Sequence, residues 1–160
     1  MVELAPTGAE VTVTRIYTQI ISVQAASAPA FVDITEQVEE ALRRAGIRHG
    51  LVVIFSRHTT AGLKINENEP ELLDDLARFL GRLAPAGAYY RHNDFQVRTH
   101  NMEAEECPNG HAHCQHFLVE ASEAVPVLDG RLQLGRWQRV FFVELDRPRP
   151  REVIIQVFGA

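Results

Sequence analysis

The C-terminal third of the chain is written in strand periodicity. Val140-Phe141-Phe142-Val143-Glu144-Leu145 and Val153-Ile154-Ile155-Gln156-Val157-Phe158 are short apolar runs rich in β-branched and aromatic residues. They are joined through Arg147-Pro148-Arg149-Pro150-Arg151. Ahead of them, Val125-Pro126-Val127 leads to the turn pair Asp129-Gly130, and Leu132 and Leu134 alternate with polar residues before Gly135. A chain ending this way must bury a sheet face, so the remaining segments have to supply its cover.

Those segments hold both more strands and helices. Residues 10–24 alternate in part, with Val11, Val13, Ile16, Ile20, Ile21 and Val23 among Thr and Gln, and read as one or two strands. Leu51-Val52-Val53-Ile54-Phe55 reads as a buried strand. Asp33 followed by Glu36 has the form of a capping box, Ile34, Val38, Ala41, Leu42 and Ala45 keep helical spacing, and Gly46 suits the stop. A second helix begins near Pro70, with Asn68 as its N-cap and Leu72, Leu73, Leu76, Phe79, Leu80 and Leu83 as its apolar stripe. Two to three helices with strands before and after them predict an α+β fold, a compact single-domain mixed sheet, rather than a doubly wound one.

At 160 residues the chain suits one domain spanning 1–160, with residues 1–8 as a loose N-terminal segment. A net charge of −5 argues against a nucleic-acid surface, and no apolar run approaches the roughly 20 residues of a membrane span. The N-terminus has neither the basic patch nor the apolar stretch of a signal peptide, and Cys107 and Cys114 read as free thiols of a cytoplasmic protein, packed as small hydrophobes. No Gly-rich phosphate loop with Lys, no Gly-x-Gly-x-x-Gly and no Gly-x-Ser-x-Gly occurs, so ATPase, dinucleotide and common hydrolase readings lack support.

Chemistry concentrates in polar segments. Three of the seven histidines, His111, His113 and His116, fall within six residues. If that stretch is helical, His113 and His116 share a face; if extended, His111 and His113 do. Either pair needs ligands from elsewhere, and the spacing fits no zinc finger or His-Glu-x-x-His pattern. His58 stands where a predicted strand ends, beside Thr59 and Thr60, whose hydroxyls can donate to an anion. His92 and Asp94 lie in a polar stretch from Pro85 to Gly110, after Tyr89-Tyr90-Arg91. Asn66-Glu67-Asn68-Glu69 is more acidic and polar than capping alone requires. Trp137-Gln138 suits a core or an interface, and Arg147, Arg149 and Arg151 suit a solvated turn or a subunit contact better than a phosphate site.

Five motifs in order, His58-Thr59-Thr60-Ala61-Gly62-Leu63, Asn66-Glu67-Asn68, Tyr90-Arg91-His92, Asn109-Gly110-His111-Ala112-His113 and Leu134-Gly135-Arg136-Trp137-Gln138, resemble the YjbQ (UPF0047) family over nearly the whole chain. The resemblance implies a compact α+β homotrimer with a histidine-lined pocket holding a metal or anion. It also implies a secondary thiamine-phosphate synthase, coupling a phosphorylated thiazole to hydroxymethylpyrimidine diphosphate. Carried over residue by residue, it puts His58, His92 and His113 on a divalent metal, with zinc as the expected ion, and gives Glu67, Asp75 and Asn66 catalytic parts. Thr59, Thr60, His111 and Gln115 would hold the anion. Two departures stand out: Arg136 where Thr is commoner, and Gln115 where a Lys is commoner, which removes a fixed cation. The alternatives are a non-catalytic metal- or small-ligand-binding trimer and a metal-assisted hydrolase of a phosphorylated small molecule.

Overall fold

The computed structural model describes residues 15–103 and 105–160. The expectations for Val11, Val13 and residues 1–8 lie outside the described residues. In chain order the elements are β1 (Arg15–Val23), β2 (Ala30–Asp33), α1 (Thr35–Ala45), β3 (Gly50–Ser56), β4 (Ala61–Glu67) and α2 (Pro70–Leu83). A 3-10 turn (Arg91–Asn93) follows, then α3 (Gly110–His116), β5 (Ser122–Leu128), β6 (Arg131–Leu132), β7 (Gln138–Glu144) and β8 (Arg151–Gly159).

The strands form two sheets, ordered β1-β8-β3-β5-β6 and β2-β7-β4. The α+β class holds, but every ladder is antiparallel, which corrects the expected mixed sheet. The reason lies in the connections: α1 carries the chain from β2 in the small sheet to β3 in the large one, so it does not cross over within a sheet to a parallel neighbour. Leu63 of the small sheet bridges Glu120, two residues ahead of β5 in the large one. Asp129 and Gly130, with φ of 52° and 73°, make the two-residue turn that pairs Leu128 with Arg131.

Burial explains the two sequence styles. The large sheet turns Val52, Ile54, Val125, Val127, Val153, Ile155 and Val157 inward, where α1 adds Val38, Ala41 and Leu42 and the small sheet adds Leu63, Val140 and Phe142. On the opposite side of β7, Phe141 and Val143 pack with Leu80 of α2 and Ala112 of α3. A strand covered on both faces has no polar side to show, hence the unbroken run Val140–Val143. Among the described residues, the outer face of the large sheet has no such cover. Its cross-strand rows are Ile16–Phe158–Leu51–Pro126 and Ile20–Ile154–Phe55–Ser122, with Ile16 63% and Ile20 56% exposed.

The helix ends differ from expectation by a residue or two. Asp33 closes β2 and accepts from the amide and hydroxyl of Thr35, while its second oxygen takes Arg139 and Asn68, so no capping box with Glu36 forms. With Asn68 drawn to Asp33, Glu69 caps α2 instead, accepting from the amides of Glu71 and Leu72. Gly46 ends α1 at φ 63°, as expected. Among the described residues, no helix is long and apolar enough to cross a membrane.

Candidate functional site

The site grows from the turn between β3 and β4. The Ser56 hydroxyl donates to the Ala61 carbonyl at 2.8 Å, closing the loop that carries Arg57, His58, Thr59 and Thr60. The Nε2 atom of His58 accepts from the backbone amide of Glu152 on β8 at 3.0 Å. Arg57 forms an ion pair with the Glu152 carboxylate.

Beneath the turn lies a buried charge pair. Glu144 is fully buried in β7 and Arg151 is 4% exposed. Arg151 grips Glu144 through Nε and Nη2, at 2.7 and 2.6 Å, and Glu144 also accepts from the amides of Leu145 and Asp146. Such a pair is tolerated in an interior only when its lone pairs and protons find partners, and here both Glu144 oxygens and the Nε and Nη2 donors of Arg151 have them. From this base Nη2 of Arg151 donates to the Thr60 hydroxyl at 3.2 Å, and Nη2 of Arg149 to the same oxygen at 3.3 Å. Arg149 also contacts Asp146 at 2.8 Å, and its Nε is buried without a partner among the described residues.

A cavity of about 370 Å³ opens above, lined by Arg57, His58, Thr59, Thr60, Asn109, His113, Arg149, Pro150 and Arg151. A second, of about 410 Å³, shares Thr59, Asn109, His113 and Arg149 and adds His92, Arg98, Arg147 and Glu106, among others. The two are lobes of one cleft, with His113 in the wall between them.

The far wall comes from α3 and the 85–109 segment. The His92 and His113 rings meet edge to face, centroids 4.5 Å apart. Asn93 ties the 3-10 turn to α3 by accepting from the amides of Asn109 and Gly110. This contact needs a glycine: a β-carbon at position 110 would sit 2.6 Å from Cβ of Tyr90. Arg98 organises the rest, donating to Glu106 at 2.5 Å and to the carbonyls of His92, His100 and Asn101, so one guanidinium replaces an apolar core. It holds the Glu106 carboxyl below the usual range.

Burial, and then the neighbouring Arg151, hold the His58 imidazole below its ordinary pKa. Burial, then His92, His116 and Arg98, do the same for His113. Both rings are therefore biased toward the neutral form. Arg149, pushed down by burial and by Arg151, keeps its charge in a range where guanidinium does not titrate.

Of the expected residues, the fold brings together His58, Thr59, Thr60, His92 and His113. Asn66 and Glu67 stand at the opposite end of β4 from Thr60, about 20 Å away at a rise of about 3.3 Å per residue. The unforeseen strand β4 separates them. Asp75 lies on the exposed face of α2 beside Arg78, at 3.6 Å. Gln115 is buried, donating to the carbonyls of Leu80 and Ala84 at the end of α2, and does not line the cleft. His111 and His116 line neither lobe. Cys107 and Cys114 are exposed rather than packed, and Trp137 is 59% exposed under the Arg136 guanidinium.

Arg149, Arg151, Asn109 and Arg98 are the cleft-lining residues that sequence reasoning did not assign. One signal was available: Glu144 sits inside an apolar run, and a carboxylate buried there demands a cation. Arg151 is that cation.

The sequence pattern of the family described as UPF0047 protein YjbQ-like matches residues 19–160. A UPF0047 protein of Methanothermobacter thermautotrophicus is 37% identical, over 91% of this chain and 94% of its own length. The UPF0047 protein YugU of Bacillus subtilis is 36% identical, over 80% and 89%. Among solved structures, a YbjQ-like protein of unknown function from Sulfolobus solfataricus superposes with a TM-score of 0.81 at 32% identity, covering 91% of this chain and 99% of that one.

Proposed function

The chain belongs to the UPF0047 protein YjbQ-like family, and from that membership we propose that it acts on a phosphorylated small molecule in the histidine–arginine cleft, as a secondary thiamine-phosphate synthase. The observation that carries this reading is the convergence of Arg149, Thr59, Thr60, His58 and His113 on one cavity. These are donors suited to a diphosphate, and they come from three separate parts of the chain. In the proposed reaction the thiazole nitrogen bonds to the pyrimidine methylene carbon, the methylene C–O bond breaks, and diphosphate leaves with the electron pair. The protein's task is to position both partners and stabilise the departing charge. Arg149 and the threonine hydroxyls meet that charge, and the rings of His58 and His113 line the same cavity.

The resemblance also implies a divalent metal, and the side chains as placed do not form its site. Among the described residues, no group of three or more His, Cys, Asp or Glu is arranged to hold an ion. Nε2 of His58 is engaged by the Glu152 amide, and Nε2 of His92 faces Nη1 of Arg98 at 3.3 Å. A zinc bound by His58, His92 and His113 would require His58 to exchange that hydrogen bond for the metal. Zinc titration by calorimetry reads the point directly.

We take the assembly to be a homotrimer that covers the apolar outer face of the large sheet, since exposed rows of Ile, Leu and Phe mark an interaction surface. In that assembly Asn66 and Glu67 reach a cleft only from a neighbouring copy. Two exposed thiols suit a reducing compartment, the cytoplasm. One observation favours the second reading, a ligand-binding trimer without turnover: Glu67 and Asp75, the expected acid–base carboxylates, stand outside the cleft of their own chain. The test is thiamine-phosphate formation and diphosphate release from the two substrates. Turnover lost in His113→Ala with the fold intact supports the enzyme; saturable binding with no product supports the second reading.

A further inference from the structure

We infer that the buried Glu144–Arg151 pair is a positioning device that makes the Thr60 hydroxyl an obligate hydrogen-bond donor to the anion in the cleft. The inference rests on the anion-binding part of the reading above and adds the residues that polarise the site.

A hydroxyl has one hydrogen to give and two lone pairs to fill. At Thr60 both lone pairs face arginine donors, Nη2 of Arg149 at 3.3 Å and Nη2 of Arg151 at 3.2 Å. Among the described residues the hydroxyl donates to no partner. Its hydrogen is thereby directed away from the two guanidinium groups, and Thr60 lines the cavity. The backbone holds the residue in place, because the Thr60 carbonyl accepts from the Leu145 amide at 3.2 Å.

Arg151 can act this way only because it is itself fixed. Glu144 occupies its Nε and one Nη2 position in a bidentate grip, and the amides of Leu145 and Asp146 fix Glu144 in turn. The guanidinium fork is rigid and planar, so its orientation toward Thr60 follows from the grip on Glu144. A lysine at 151 keeps the charge beside Glu144 but offers a point charge with rotatable donors. Thr60 would then regain the freedom to turn its hydrogen inward. Arg151 and Glu144 are positioning residues, acting through Thr60.

The experiment is a double-mutant cycle on affinity for inorganic diphosphate, by calorimetry, with melting temperatures read on every variant. Thr60→Val, which keeps the shape and removes the donor, is expected to weaken binding about tenfold or more, the scale of a hydrogen bond to a charged group. Thr60→Ser is expected to stay within about threefold. Arg151→Lys is expected to cost several-fold in the parent and under about twofold in the Thr60→Val background, because its effect passes through that hydroxyl. Equal losses from Arg151→Lys in both backgrounds would overturn the inference, as would a Thr60→Val protein that binds like the parent. If Arg151→Lys does not fold, the Val and Ser variants at position 60 decide the donor role alone. A parent protein that binds no diphosphate defeats the anion-site reading instead, which keeps the two failures distinct.

Discussion

Replacing Gly110 with alanine tests the contact that places His92 beside His113. In an ordinary helix the change helps, by up to about 1 kcal/mol, because alanine loses less backbone entropy. Here the added carbon would sit 2.6 Å from Cβ and 2.9 Å from Cγ of Tyr90, and 3.1 Å from Oδ1 of Asn93. The Tyr90 atoms lie at the root of the side chain, so they move only if the backbone ahead of the 3-10 turn moves. That shift also strains the two amide hydrogen bonds to Asn93, each worth about 1 kcal/mol. Overpacking of this kind costs about 1–3 kcal/mol. The clash therefore wins, and the net loss is about 1–3 kcal/mol, or a melting temperature lower by about 3–10 °C for a domain of this size. Gly81, in α2, is the control: its β-carbon would meet nothing within 4 Å, so Gly81→Ala should raise the melting point by a few degrees. Calorimetry gives the melting points, and hydrogen exchange over residues 90–98 should rise only in Gly110→Ala. A Gly110→Ala protein melting at or above the parent, with Gly81→Ala behaving as expected, refutes the docking of the 3-10 turn on α3.

Two further outcomes follow from the same geometry. His58, His113 and His116 are held below the ordinary imidazole value of 6.5, chiefly by burial. The unfolded chain thus binds their protons first as pH falls, so stability is full above about pH 6.5 and declines below it until the folded values are reached. Melting temperatures between pH 8 and 5.5 should fall toward acid, and a flat or rising profile contradicts the burial of these rings. Phe55→Glu places a charge amid the apolar rows of the large sheet's outer face; light scattering should show the proposed trimer for the parent and a folded monomer for the variant, and equal masses contradict the proposal that this face joins copies of the chain.

Much of the fold was legible because burial writes itself into side-chain patterns. β7 and β8 read as strands, α2 began at Pro70, and Asp129-Gly130 marked its turn. β4 was not legible. Its first residues, Ala61 and Gly62, are small, and Gly62 packs against the Glu120 carbonyl and Val119, neighbours from a distant part of the chain. Its last two residues, Asn66 and Glu67, look like a helix approach. That strand sets Asn66 and Glu67, which the family resemblance groups with the histidines, at the far end of β4 from Thr60. The candidate site was legible where motif and geometry coincide, at His58, His92 and His113. The arginines were harder: Arg149 and Arg151 look like a solvated turn until β8 places Arg151 against Glu144, across a gap that only tertiary structure closes.

The central claim is that Arg149, the threonines and the half-buried His58 and His113 make an anion site. Calorimetric titration of inorganic diphosphate into the parent protein and into Arg149→Met at pH 7.5 addresses it most directly. The account predicts saturable binding of one diphosphate per chain in the parent, weakened about tenfold or more in the variant through loss of a charge-assisted contact. No binding by the parent, or equal binding by both proteins, contradicts it.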